Sequence, residues 1–224
     1  MPVAPEHAVR CLKEAGARSV WLIRRPGEGL RTLKMWPLTP AIVFKLILGL
    51  AQPQRQVRGA RRLTALGLNT PSPVGRWRLT RLPGRLRLTL EMEFIPGPLA
   101  LEVLADAGKH LTAGLGIAAR IGRMTRTMAD GGLLHRDLKL SNIVIAEEGD
   151  QPTVWLIDPV GVRPMSDRLE ALVRMFDRLM VEPLETGIPI PRRAWWEVLR
   201  AAVRGLPKAD RREVIRRLRS RPRS

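Results

Sequence analysis

The sequence predicts an α+β protein with a small β-rich N-terminal lobe and a helical C-terminal lobe. Up to residue 93, short runs rich in β-branched and aromatic residues alternate with Pro/Gly turns, as is typical of a sheet. Beyond residue 98, apolar residues recur at the three- and four-residue spacing of helices. The stretch 94–98 between them is rich in Pro and Gly. We therefore expect an N-lobe over residues 1–93, a hinge over 94–98 and a C-lobe over 99–224.

Two strand pairs are predicted in the N-lobe. Residues 19–24 and 30–36 flank the Pro/Gly turn 26–29, which predicts a hairpin. Residues 75–82 and 85–94 predict a second pair, joined by Pro83 and Gly84.

Helices are predicted in both lobes from apolar spacing and capping residues. In the N-lobe, residues 41–50 predict a short helix, and residues 54–66 predict a longer one that ends at Gly67. The C-lobe is expected to contain helices over 110–130, 192–204 and 209–219, and one that begins at Asp167.

Composition excludes several classes of protein. The chain has 224 residues, of which 45% are hydrophobic and 27% charged, so a mainly disordered chain is excluded. Cys11 is the single cysteine, which excludes a disulfide scaffold or a Cys-rich zinc module. The longest apolar run, 41–51, contains Lys45 and is too short to span a bilayer. The N-terminus has no apolar signal region, so we expect a cytoplasmic protein.

The net charge of +18 has two interpretations that the sequence leaves open. It favours anionic partners such as nucleic acid, acidic lipids or phosphorylated sugars. However, the chain has 33 arginines, six lysines and no tyrosine, a skew that also indicates codon bias. A nucleic-acid-binding module would need basic residues interleaved with aromatic ones, and Trp195 and Trp196 are equally consistent with a core position. We do not expect nucleic acid as a partner.

The most informative stretch is His135 to Asn142, which fits the pattern H-R-D-x-x-x-x-N. It follows an amphipathic helix and precedes the apolar run 143–145. After a second apolar run, 154–157, comes Asp158, where the metal-binding Asp of D-F-G stands in kinases. Motif and context together predict a bilobal protein kinase-like fold.

Phosphoryl transfer depends on positioning and charge neutralisation, which assigns roles to these residues. Asp137 is predicted to orient the acceptor hydroxyl or accept its proton, and Lys139 to reach the γ-phosphate. Asn142 and Asp158 are predicted to hold Mg²⁺ through oxygen ligands. The alternative for these polar residues is a role in turns alone. His135 is expected to pack the loop rather than act as a base.

Two N-lobe positions are predicted to meet ATP. Lys34 is the lysine within the N-lobe strands and can pair with the α- and β-phosphates. Its alternative is a solubility lysine on an edge strand. Glu93 ends the last N-lobe strand, where its backbone would meet the adenine edge.

These residues resemble the lipopolysaccharide kinase (Kdo/WaaP) family. Besides the catalytic loop, the similarity includes the stretches 61–74 and 156–163, which read RRLTALGLNTPSPV and LIDPVGVR. The resemblance implies an ATP- and Mg²⁺-dependent kinase that phosphorylates a sugar hydroxyl of the lipopolysaccharide inner core. It also implies an anionic sugar or lipid-linked glycan as substrate, and cytoplasmic action with peripheral contact to the inner membrane.

The sequence departs from the family at three places. Gln56 stands where such kinases carry the helix glutamate that pairs with the strand lysine, so it can hydrogen-bond Lys34 without supplying a charge. Pro159 and Val160 replace the usual residues after the metal Asp. No Gly-rich phosphate loop precedes Lys34, and Gly16 is a lone candidate. A pseudokinase or binding module with a degenerate ATP site is therefore an alternative.

A small atypical Ser/Thr protein kinase is a second alternative. Protein kinases carry an activation segment ending in A-P-E, which docks peptide. Here Asp167, at the next helix start, lies nine positions after Asp158, and no A-P-E is present. The short connection favours a small or lipid-linked acceptor.

Overall fold

The structure is a computed structural model that describes residues 4–27, 29–82, 85–106, 111–148 and 151–220. The chain divides into two compact units. The first consists of Met1–Arg61 and Pro71–Ile95, and the second of Arg62–Thr70 and Pro96–Ser224. The division predicted from the sequence, at residues 94–98, stays a prediction.

The first unit contains an antiparallel sheet and two helices. Its elements in chain order are β1 Ala8–Ala15, β2 Arg18–Arg25, β3 Gly29–Pro37, α1 Pro40–Ile47, α2 Gln52–Ala65, β4 Arg78–Leu82 and β5 Arg85–Glu93. The strand order β1-β2-β3-β5-β4 makes β3 the central strand. The C-terminal end of α2 belongs to the second unit.

Strand alternation gives this sheet two apolar faces. One face is built around Trp21, Ile23, Leu33 and Met35. The other is built around Trp36, Leu88, Leu90 and Met92, with α1 and α2 packed on it. Because side chains alternate along a strand, Lys34 shares the second face with Trp36.

The predicted hairpin and both N-lobe helices are confirmed, whereas β1 was missed. β2 and β3 pair from Ser19↔Met35 to Arg25↔Gly29. Gly67 has φ +70° just beyond α2, which confirms its helix-ending role. β1 gave no alternating signal because nearly all its residues are exposed. Glu28 of the predicted turn, and Pro83 and Gly84, lie outside the described residues.

The second unit is mainly helical. Its elements are α3 Ala100–Ala105, α4 Leu111–Asp130, β6 Leu133–His135, β7 Ile143–Glu148, β8 Gln151–Leu156, β9 Val162–Pro164, α5 Arg168–Thr186, α6 Arg192–Val203 and α7 Lys208–Ser220. β6 pairs with β9, and β7 with β8, both antiparallel. The four predicted helices are confirmed, while His110, the expected start of α4, lies outside the described residues.

The core of this unit is built around α4 and α5. The buried residues of α4 include Ala118, Ile121 and Met128. At Gly122 the helix approaches α6 so closely that a Cβ atom would lie 2.2 Å from the Val198 carbonyl oxygen. Asp167 caps α5 by accepting a hydrogen bond from the Glu170 amide at 2.9 Å, as the sequence predicted.

Residues 62–70 support the strand that leads to Asp158. The Thr70 hydroxyl donates to the Leu156 carbonyl at 2.8 Å, and the Leu156 amide donates to the Asn69 carbonyl at 3.0 Å. Thr70 is buried. These bonds give the Thr-Pro stretch of the sequence a structural role, since they hold the end of β8 in place.

Within the described ranges, we find no helix long and apolar enough to cross a lipid bilayer.

Candidate active site

The segment that matches the kinase pattern forms the connection between β6 and β7. Leu138 and Leu140 are fully buried and anchor it in the core of the second unit. Leu140–Asn142 form one 3₁₀ turn, after which the chain enters β7. The apolar residues between the polar ones therefore fix the course of the loop, and the polar residues at 137, 139 and 142 can face outward.

His135 ties the two predicted chemical segments together. Its Nδ1 accepts a hydrogen bond from the Asp137 amide at 3.2 Å, so Nε2 carries the proton and donates to the Asp158 carbonyl at 2.8 Å. The ring is fully buried, and this burial lowers the pKa of His135 below its ordinary value. The imidazole is thus neutral at pH 7. The expectation that His135 packs the loop is confirmed.

Gly161 is required by the space around this histidine. A Cβ atom at Gly161 would lie 2.9 Å from His135 Cε1 and 3.2 Å from the Asp137 amide nitrogen. The Gly161 carbonyl also accepts from the Arg136 amide at 3.1 Å. The glycine in the stretch Asp-Pro-Val-Gly therefore permits close contact between the two segments.

Asn142 is oriented by the loop it ends. Its Nδ2 donates to the Asp137 carbonyl at 3.0 Å, which leaves Oδ1 available to a ligand. Its backbone carbonyl accepts from the Ile157 amide at 2.9 Å. Since Asp158 is the next residue, this bond brings the two predicted metal-binding positions to the ends of the paired strands β7 and β8.

The side chain of Asp137 is held by an arginine that the sequence analysis did not identify. Arg178 of α5 donates through Nη2 to Asp137 Oδ1 at 3.1 Å. Asp137 is 54% exposed and Arg178 37%, so the pair is open to solvent. One carboxylate oxygen of Asp137 is thereby oriented. Lys139 is half-buried in the same loop.

A second residue of α5 holds the far side of the loop. Glu182 is 8% exposed, accepts from the Ser141 amide at 2.9 Å and also accepts from the Ser141 hydroxyl. It lies one helical turn after Arg178, so both side chains extend from one face of α5. One signal was present in the sequence: Glu182 follows Leu179 by three residues and so continues the apolar stripe.

Lys34 lies on the central strand of the first unit's sheet. Its Cα partners are Val20 in β2 and Leu90 in β5, so strands flank it on both sides. The alternative of a solubility lysine on an edge strand is therefore wrong. With β1 included, the strand of Lys34 is the third along the chain, as the kinase pattern requires.

The helix that carries Gln56 packs on the same face of the sheet as Lys34. Val57, its neighbour in α2, contacts the cluster around Trp36 and Leu90. Gln56 itself is fully buried. A buried side-chain amide is normally hydrogen-bonded.

Glu93 forms two hydrogen bonds with Ser72 in the first unit. Its amide donates to the Ser72 carbonyl at 2.9 Å, and its carboxylate accepts from the Ser72 amide at 3.2 Å. An adenine contact through the Glu93 amide would therefore have to replace Ser72.

The oxygen donors of the second unit fit a hard divalent cation bound together with phosphates. Asn142 donates to the loop through Nδ2, so its Oδ1 can accept from or bind a ligand. The backbone carbonyl of Asp158 accepts a hydrogen bond from His135. Among the described residues, no group of three or more His, Cys, Asp and Glu could hold a metal on its own. Two protein oxygens are what Mg²⁺ usually takes when nucleotide phosphates supply the rest.

Comparison with known proteins agrees with this fold. A solved structure described as "WaaP in complex with acyl carrier protein" matches with a TM-score of 0.60 and 18% sequence identity. The match covers 92% of this chain and 81% of that one. The α+β architecture with an antiparallel sheet and a helical second part is thus a kinase-like fold. No curated protein matches the sequence significantly.

The sequence also matches the lipopolysaccharide kinase (Kdo/WaaP) family over residues 43–201. This is more than half of the chain, and it includes Gln56, Glu93 and the whole catalytic loop, while Lys34 precedes it. The chain belongs to the lipopolysaccharide kinase (Kdo/WaaP) family.

Proposed function

We propose that this protein transfers the γ-phosphate of ATP to a sugar hydroxyl of the lipopolysaccharide inner core. The observation that carries the proposal is the bonding of His135, which joins Asp137 of the catalytic loop to Asp158 of the following segment. These bonds link the backbones of Asp137 and Asp158, which supports a shared role for their carboxylates in orienting the acceptor hydroxyl and binding a metal. Family membership supports the acceptor class.

Asp137 is proposed as the residue that orients the acceptor hydroxyl and accepts its proton. Arg178 occupies Oδ1, so Oδ2 would accept the hydrogen bond from the hydroxyl. Lys139, two residues on, would place its ammonium group against the γ-phosphate.

Asn142 and Asp158 are proposed to hold Mg²⁺ through Oδ1 and the carboxylate. Mg²⁺ held there would supply positive charge that neutralises the phosphates. The chain's own contribution is to fix the Asn142 side chain, through its bond to the Asp137 carbonyl, and the Asp158 backbone, through the bond from His135.

Lys34, Gln56 and Glu93 are proposed to contact ATP in the first unit. Lys34 would bind the α- and β-phosphates, and Gln56, on the helix packed against the same sheet face, would orient it by a hydrogen bond. Glu93 would present its backbone to adenine. Gly16 has φ +58° in the turn between β1 and β2, where kinases place their phosphate loop.

An anionic sugar, free or lipid-linked, suits the connection that follows Asp158. The structure fills it with the 3₁₀ turn Pro159–Gly161 and β9, and α5 begins at Arg168. Few residues remain to form a peptide platform. A lipid-linked acceptor would place the protein at the cytoplasmic face of the inner membrane, as a peripheral protein.

The decisive experiment offers labelled ATP and Mg²⁺ with three acceptors: a dephosphorylated lipopolysaccharide core, a generic protein substrate, and water. We expect label on the core oligosaccharide, and Asp137→Asn to remove it. Label on protein would favour the atypical protein kinase. ATP binding without transfer to any acceptor would favour the pseudokinase.

A partner follows from the similar structure. Because that WaaP structure contains an acyl carrier protein, we also propose an acyl carrier protein as a partner of this chain. Co-expression followed by size-exclusion chromatography tests it: a stable complex supports the partner, and separate elution contradicts it.

A further inference from the structure

Helix α1 presents an apolar face to solvent. Five large apolar side chains of α1 and of the residues directly after it are exposed, by 41 to 79%: Val43, Phe44, Ile47, Leu48 and Leu50. No residue of α1 is fully buried. Elsewhere in the described residues, large exposed apolar side chains occur singly or in pairs. A continuous apolar surface of this kind marks an interaction site.

Both ends of α1 are held by hydrogen bonds, so its apolar side chains are not exposed because the helix is frayed. Thr39 caps its N-terminus by accepting from the Ile42 amide at 3.3 Å, and Pro40 occupies the first turn. Arg58 donates to the Gly49 carbonyl just beyond its end. Ile42 and Leu46 pack against the sheet. The side of α1 that faces the sheet is thus fixed by packing, and the opposite side is exposed to solvent.

The part of the chain that carries this face is rich in cationic residues. Lys45 lies within the helix and Arg58 beside its C-terminal end. From residue 29 to residue 90, the chain has 12 Lys and Arg residues and no Asp or Glu. A second copy of the chain would bring like charges together, which disfavours self-association through this face. An anionic surface complements it.

We propose that α1 is an interfacial anchor that inserts into the surface of a membrane containing anionic phospholipids. Eight residues make a helix of about 12 Å, which can lie in the interface plane and cannot span the bilayer. The apolar side chains would enter the acyl boundary, while the neighbouring cations would meet phosphate head groups. A lipid surface is fluid and does not have to match the shape of the protein. A convex helix face that is exposed to solvent can therefore bind it.

Apolar insertion and charge attraction are each weak alone, and stable anchoring takes both. We therefore expect reversible binding that requires anionic lipid and falls with salt. The proposal rests in part on the proposed function, because a lipid-linked acceptor would require the enzyme to bind at the membrane surface. Vesicle binding nevertheless tests it without any measurement of catalysis.

The test is co-sedimentation of the full chain with vesicles of phosphatidylcholine, with and without 30 mol% phosphatidylglycerol, as about one third anionic lipid gives a strong surface potential. The variant Phe44→Gln/Ile47→Gln removes the two most exposed side chains of α1. We expect its affinity for anionic vesicles to fall about tenfold or more, given the apolar area removed. The matched control Leu79→Gln/Leu184→Gln removes two exposed leucines elsewhere and should bind like the wild type.

A positional readout uses the single cysteine. In a Cys11→Ser background, an environment-sensitive dye at Ile47→Cys should shift to the blue on anionic vesicles, whereas one at Leu184→Cys should not. Equal shifts at both positions, or equal loss of binding in both double variants, would overturn the anchor. The anchor would also be overturned if the wild-type protein bound no anionic vesicle. Dimerisation through α1, or capture of an acidic protein by α1 in place of lipid, would overturn it as well.

Failure of the anchor and failure of the kinase are distinguishable. Phe44→Gln/Ile47→Gln should keep wild-type turnover on a soluble core oligosaccharide, because α1 carries no proposed catalytic residue. Loss of vesicle binding with full turnover supports the anchor. Normal vesicle binding by the double variant, with turnover intact, contradicts the anchor and leaves the kinase unaffected.

Discussion

The predicted catalytic loop and the predicted ATP-binding residues of the first unit differ in how closely they follow the kinase pattern. In the loop, His135, Asp137 and Asn142 all match, and each makes a hydrogen bond within the second unit. In the first unit, Gln56 stands where the resemblance predicts a glutamate, and Gly16 is the lone candidate for a phosphate-loop glycine. The comparison teaches that the predicted loop residues are held by hydrogen bonds, whereas the predicted nucleotide contacts depart from the kinase pattern.

This difference orders the expected effects of mutation. Changes in the loop should abolish or strongly reduce transfer, because they disturb bonds that the structure already contains. Changes at Gln56 should modulate it, because a hydrogen-bonding group is already present there.

The largest effect is expected for Asp137→Asn. Turnover should fall about 10²- to 10⁴-fold, the usual contribution of a general base or orienting carboxylate. KM for ATP should change little, since the nucleotide contacts remain. Steady-state kinetics on the core oligosaccharide measures both. Asp130→Asn, at a surface carboxylate paired with Arg126, is the control, and an Asp137→Asn enzyme with normal kcat would show that the site is misassigned.

Gly161→Ala should destabilise the protein by about 1–3 kcal/mol, because overpacking forces the neighbours to move. His135 and the Asp137 amide are those neighbours, so turnover should fall as well. Gly116→Ala in α4 is a matched control, because its Cβ meets nothing within 4 Å. Chemical denaturation compares the two. Equal stability of both variants would refute the close approach.

Glu182→Gln should cost about 1.5–3 kcal/mol of stability, the range for a hydrogen bond to a charged group. It should also reduce kcat more than it raises KM, because Glu182 acts through the position of Ser141. Glu185→Gln, exposed on the same helix, is the control. An unchanged kcat, with only stability lost, would limit Glu182 to a structural role.

A pH dependence should follow from the buried His135. Its pKa is lowered in the folded state, so below about pH 6.5 the unfolded chain takes up a proton that the folded chain does not. Stability should therefore be complete above that pH and fall as the pH drops toward the folded pKa. Denaturation between pH 7 and 5 measures the slope. His135→Gln should flatten it, and His7→Gln should not.

The smallest effect is expected for Gln56→Glu. A carboxylate would form a charge-assisted bond with Lys34, roughly twice as strong as a neutral one. Turnover or ATP affinity should rise modestly in an active kinase. Gln54→Glu, on the same helix, is the control for added charge. A fall in activity would mean that Gln56 serves another partner and that the helix alignment is out of register.

The sequence was informative where a pattern has a strict physical basis. The connection between β6 and β7 could be predicted because its polar residues stand at fixed spacing around Leu138 and Leu140, which are buried. The hairpin of β2 and β3 could be predicted from its turn. β1 could not, because it is exposed on nearly every residue and has no apolar alternation.

Other parts of the site depend on tertiary contacts that no local pattern reveals. Arg178 and Glu182 lie about forty residues after the loop they hold, and one arginine among 33 gives no signal by itself. The bonds of Glu93 to Ser72 were likewise unforeseen, since they join distant segments of the first unit.

The most direct measurement is transfer of the terminal phosphate of ATP to purified core oligosaccharide, followed by NMR localisation of the phosphate. With wild-type protein and Mg²⁺, phosphate should appear on one sugar hydroxyl. With Asp158→Asn it should be lost together with Mg²⁺-dependent nucleotide binding. Wild-type protein that binds Mg-ATP but transfers no phosphate to any core sugar would contradict the account.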